Sequence, residues 1–180
     1  MAGEKKRQGR RAHLNDFYRD VAGNYVYTGT CYVCRAADGE RAALLRRLWL
    51  LTAVMAAAVV AGGCISAPGM SRCFYVLLPY MIALVAAISC LWTIGELTGG
   101  GDPLRQYVHD ATVLKLPGRA MVSAVAALAC ISGEIVSCAL NGADGEIGAL
   151  IAFFLLLAVG AGAMVLLRRR ICGAVWQITG

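Results

Sequence analysis

Residues 147–167 read IGALIAFFLLLAVGAGAMVLL, twenty-one positions without one charge. A helix needs roughly 20 apolar residues to cross about 30 Å of hydrocarbon, so this stretch reads as a membrane span. Three more stretches read the same way: 48–65, 73–97 and 120–140. Two of these carry one charge each: Glu96 at the end of 73–97 and Glu134 well inside 120–140. Lipid leaves no partner for an exposed backbone N–H or C=O, so a crossing segment is a helix or part of a closed barrel. Barrel strands alternate polar and apolar residues, whereas these runs are continuous. The fold class read from sequence is all-α, an integral membrane four-transmembrane-helix bundle.

Composition agrees. Of the 180 residues, 59% are hydrophobic and 16% charged, against about 45–50% and about 25% in soluble domains. Such a chain has too little polar surface for a soluble enzyme or an ordinary nucleic-acid-binding domain.

Charge placement sets the expected orientation. Of 17 Lys and Arg residues, all but Arg72 fall before position 48, between spans two and three, or after position 167. With four crossings those segments share one side, and the positive-inside rule makes it cytoplasmic. The expected organisation is a basic cytoplasmic N-terminal region over 1–47, a transmembrane domain over 48–167 and a basic tail over 168–180. Both termini are cytoplasmic in this reading. The first apolar run begins too late for a cleavable leader. The basic run 5–11 is expected to meet anionic lipid rather than nucleic acid. High alanine and glycine content with short external loops suggests a bacterial plasma membrane.

The soluble segments carry local signals. Residues 24–34 are β-branched and aromatic around Gly29, which predicts a short hairpin of two strands. Residues 38–47 predict a helix running into the first span. In the middle loop, Asp102-Pro103 resembles a helix start, and Leu104, Tyr107, Val108, Ala111 and Leu114 recur at helical spacing. An interfacial amphipathic helix over 103–116 is therefore predicted. Pro68-Gly69 predicts a turn between the first two spans.

No catalytic motif stands out, and Asp102, His109 and Asp110 are explained by the loop helix. Cys31 and Cys34 form a lone C-x-x-C, the weak candidates for metal. Zinc commonly takes two such pairs, and only His13, His109 and Cys172 remain as further ligands. Cys64 and Cys73 flank the first external loop and can pair in an oxidising compartment. The remaining cysteines read as small packing residues, and no cofactor is expected. Small residues at four-residue spacing, Ala53, Ala57 and Ala61, then Gly148 with Ala152 and Ala158 with Gly162, predict close helix approach.

Span three is the informative one. Ser123, Ala127, Cys130, Glu134, Ser137 and Asn141 occupy one helix face. Ala86, Ser89, Thr93 and Glu96 form a similar stripe on span two. A charge at the bilayer centre costs roughly 2.5–3.5 kcal/mol on insertion scales, so Glu134 is expected to face the bundle. Ser89, Ser137 or carbonyls near Pro79 are its expected partners. Glu134, Ser137, Cys130, Ser89, Thr93 and Glu96 are the candidate ion or proton site. The functional expectation is a non-enzymatic accessory or structural subunit, with a small proton- or ion-coupled transporter built on Glu134 as the alternative. The expected partners are the lipid bilayer and a second copy or another membrane protein.

Overall fold

The computed structural model describes residues 17–20, 23–34, 40–65, 67–142 and 147–179. The basic run 5–11, His13 and the acidic segment 143–146 lie outside the described residues.

Four long helices form the body: α1 (Glu40–Gly63), α3 (Phe74–Gly99), α5 (Leu116–Asn141) and α6 (Ile147–Cys172). All four are long and apolar enough to cross a membrane. The chain is a membrane protein with a four-helix bundle. Two short helices, α2 (Pro68–Arg72) and α4 (Gln106–Thr112), lie in the connections. Each long helix packs on its neighbours in chain order, and α6 closes the ring on α1.

The two seams on opposite sides of the ring use different side chains. Between α3 and α5 lie Ala83, Ala87, Cys90, Ala124, Ala127 and Cys130, all at most 2% exposed. Small side chains let membrane helices approach closely, and packing rather than water exclusion then holds them. Ser123 Oγ reinforces the seam by donating to the Ala83 carbonyl at 3.4 Å. The α1–α6 side is filled by larger groups, Met55, Val59, Phe153, Leu157 and Met164, each 0% exposed. There Gly160 makes room: a Cβ on it would lie 2.7 Å from Met55 Sδ and 3.2 Å from the Ala58 methyl. The predicted row Ala53, Ala57 and Ala61 faces outward instead, as do Ala158 and Gly162. The buried residues of α1 include Leu48, Thr52, Met55, Ala58 and Val59.

One end of the bundle carries a β cap. β1 (Phe17–Arg19) pairs antiparallel with β2 (Tyr25–Tyr27). β3 (Cys31–Cys34) lies between β4 (Leu104–Arg105) and β5 (Trp176–Thr179) in a three-stranded antiparallel sheet. Strands do occur within residues 24–34, but β2 and β3 do not pair with each other as the predicted hairpin required. Each finds a partner elsewhere, because the ends of α3 and α6 deliver extended chain beside β3. The same pairing shortens the middle-loop helix. Residues 103–105 are not helical; Leu104 opposes Tyr32 in the sheet and is 1% exposed. Asp102 does not cap the helix but pairs with Arg41 at 3.2 Å. Pro117, expected to follow a helix, instead sits in the first turn of α5, where its missing N–H costs no hydrogen bond.

The sheet draws together the N-terminal segment, the middle loop and the tail. Those three segments therefore share one end of the bundle, as an even number of crossings requires.

Candidate functional site

Glu134 is fully buried at the end opposite the cap. α2 crosses that end, and its flanking residue Ala67 has no side-chain acceptor for the first free N–H groups. Helix starts leave such donors open. Glu134 supplies the acceptor from α5: the Gly69 N–H donates to Glu134 Oε1 at 2.9 Å. Glycine at position 69 makes room for this contact, since a methyl there would overlap Glu134 Oε2 and lie 2.8 Å from Ser137 Oγ, so both side chains would have to shift. Ser137 Oγ in turn lies 3.5 Å from Cys73 Sγ. α2 is thus clasped onto α5 by a carboxyl, a hydroxyl and a thiol. Glu134 Oε2 is buried with no hydrogen-bond partner among the described residues.

The candidate residues divide between two places. Glu134, Ser137 and Cys130 lie together on the buried face of α5. Ser89 and Thr93 lie towards the cap, where both are engaged by Arg119. Glu96 is exposed and accepts from Trp92 Nε1 at 2.9 Å. The hydrogen-bond partner of Glu134 is thus none of Ser89, Ser137 or a carbonyl near Pro79, but a backbone N–H of the connecting loop. Pro68-Gly69 signalled a turn in the sequence; nothing in its spacing signalled a carboxyl 65 positions away.

Cys31 and Cys34 do not form a chelating pair. They lie three apart on one strand, and side chains alternate between its faces, so the two thiols point to opposite sides. Among the described residues no group of three or more His, Cys, Asp or Glu is placed to hold a metal. All eight cysteines are free, Cys64 and Cys73 included.

The cap has its own polar arrangement. His109 stacks on Tyr32 with ring centres 4.2 Å apart, and Trp176 meets it edge-on at 5.6 Å. His109 Nδ1 lies 3.3 Å from Asp110 Oδ1. The sequence cluster of Asp102, His109 and Asp110 is therefore divided, since Asp102 belongs to Arg41. Beside the stack a cavity of about 530 Å³ is lined by Tyr27, Cys31, Asp102, Arg105, Tyr107 and the glycines at 99–101. The Arg105 guanidinium lies 5.6 Å from the Tyr27 ring centre, and Tyr107 meets that ring edge-on at 6.3 Å.

Trp176→Ala removes the edge contact to His109 and weakens the hold of β5. An aromatic pair contributes about 0.5–1.5 kcal/mol beyond its area, so amide exchange along β3 is expected to quicken up to about tenfold. The long helices stay protected. Uniform loosening of the whole bundle would show that the cap is not a separate cooperative unit.

The chain matches no protein-family model, no curated protein and no solved structure.

Proposed function

We propose that the protein is a non-enzymatic accessory subunit of a bacterial plasma membrane, with its cap in the cytoplasm as the docking face for a partner protein. The observation that carries this reading is the cap. Three distant segments of the chain are spent on one folded sheet, and it holds a cavity of about 530 Å³ in which Arg105, Asp102 and two tyrosines converge. That volume lies within the about 300–1,000 Å³ of ligand pockets. The clasp role of Glu134 agrees with it, because the carboxyl holds a loop in place.

A photo-crosslinking residue at Tyr107 tests the reading in cells. One discrete adduct is expected, and it disappears when residues 174–180 are removed. Reporters after Gly180 and within residues 99–101 are expected to behave as cytoplasmic, and one at Ala143 as external. No adduct at Tyr107, or an external signal after Gly180, would overturn the proposal.

The second reading, a proton- or ion-coupled transporter, is favoured by the buried Glu134 Oε2 with no partner among the described residues. Reconstituted vesicles separate the two. A pH-driven flux lost in Glu134→Gln supports transport, and the absence of flux in both proteins supports the accessory role.

A further inference from the structure

An open groove of about 720 Å³ runs along α3 from Phe74 to Ser89, with Gly118, Arg119 and Val122 of α5 as its other wall. Apart from Ser89 and Arg119 its side chains are apolar. Those two lie at one end.

The depth of that end can be read from the aromatic residues. Trp92 is 71% exposed and ties its indole N–H to Glu96, while Trp49 donates to Thr98 at 3.0 Å. Tryptophans with one polar tip sit at the membrane–water boundary. Phe74, 72% exposed, marks the other end of α3. The eighteen helical steps from Phe74 to Trp92 span about 27 Å at about 1.5 Å per residue, close to the about 30 Å of a hydrocarbon layer. The groove therefore lies in the acyl region. Arg119, bonded to Thr93 beside Trp92, lies at the headgroup border.

Arg119 is anchored at that end of the groove. Its Nη1 donates to the Ser89 carbonyl at 3.3 Å and to Thr93 Oγ1. These contacts fix the guanidinium against α3 and use one of its three nitrogens. Nε and Nη2 have no partner among the described residues, and the nearby acid Glu96 is engaged by Trp92. Lys115 stands one helical turn before Arg119 and adds a second positive charge. A planar guanidinium with two open nitrogens, three N–H groups in all, matches the oxygens of a phosphate.

We propose that this groove binds one anionic diacyl phospholipid of the cap-side leaflet, with its phosphate on Arg119 and an acyl chain laid between α3 and α5. The headgroup is selected by charge and the chain by the apolar walls. A zwitterionic lipid brings its own ammonium to a site that already holds two cations, and is disfavoured.

Native mass spectrometry of the detergent-purified protein tests this with phosphatidylglycerol and phosphatidylcholine of identical chains. One phosphatidylglycerol is expected to remain bound under activation that strips phosphatidylcholine. Arg119→Gln is expected to lower its occupancy about tenfold, the scale of a charge-assisted hydrogen-bond pair, and Arg119→Lys by less. Gly118→Phe fills the groove and leaves the cation in place. A Cβ there meets nothing within 4 Å, so the helix tolerates it. It is expected to remove the bound lipid while the melting temperature holds. Equal retention of both lipids, or phosphatidylglycerol unchanged in Arg119→Gln or in Gly118→Phe, would overturn the proposal. A dimer abolished by Gly118→Phe would also overturn it, because the groove would then belong to a second copy.

Discussion

Glu134→Lys prevents the bundle from assembling, while Glu134→Gln melts within a few degrees of the parent. The difference follows from what surrounds the carboxyl. Position 134 is 0% exposed, and its one described hydrogen bond is accepted from the Gly69 N–H. Glutamine keeps a carbonyl oxygen in that place. Lysine offers only donors to a donor, and brings a charge that costs roughly 2.5–3.5 kcal/mol on insertion scales. The orphaned N–H adds about 1–3 kcal/mol. Together these are comparable with the about 5–15 kcal/mol by which whole domains are stable. Glu134→Leu lies between, losing only the acceptor. Gly69→Ala approaches the same contact from the other side, since its methyl collides with Glu134 and Ser137. Size-exclusion profiles and thermal melts in mild detergent provide the measurement. A Lys variant that elutes and melts as the parent does would show that position 134 faces water or headgroups.

The second large effect is at Gly160. Leucine there meets Met55 and Ala58 of α1 at the closest point of the α1–α6 seam. Overpacking costs typically about 1–3 kcal/mol when neighbours can shift. The added Cβ already touches Met55 Cα at 3.7 Å, so the remaining atoms of leucine have to displace the α1 backbone, and the upper end of that range or more is expected. Gly162→Leu is the control, because a Cβ at 162 meets nothing within 4 Å. The first variant is expected to lose much of its folded yield, and the second to melt like the parent. The opposite order would place the α1–α6 contact on the outer row of small residues.

That pair of glycines shows where sequence patterning stops. The motif Ala158-xxx-Gly162 has the spacing of a helix contact, yet it lies on the exposed face. Gly160 belongs to no such motif and carries the contact. In a helix that is apolar all round, periodicity does not say which face turns inward, since lipid accepts either. The stripe on α5 was legible for the opposite reason. Ser123, Glu134 and Ser137 are unwelcome in lipid, so their shared face had to point inward, and it does.

The sequence by itself determined the number and approximate bounds of the spans and that a membrane is their solvent. Length and continuous apolarity suffice for this, because every backbone hydrogen bond of a crossing helix closes within its own segment. Tertiary structure decided the rest. Tyr32 pairs with Leu104 and Ile178, and Glu134 meets Gly69. Such contacts join residues tens of positions apart, and their partners are backbone groups that every residue carries. Arg119 reads in the sequence as one more loop cation, and only the antiparallel approach of α3 brings it to Thr93 and to the end of an apolar groove. Local pattern encodes what a segment does with its own backbone; the choice among chemically equivalent distant partners is made when the helices pack.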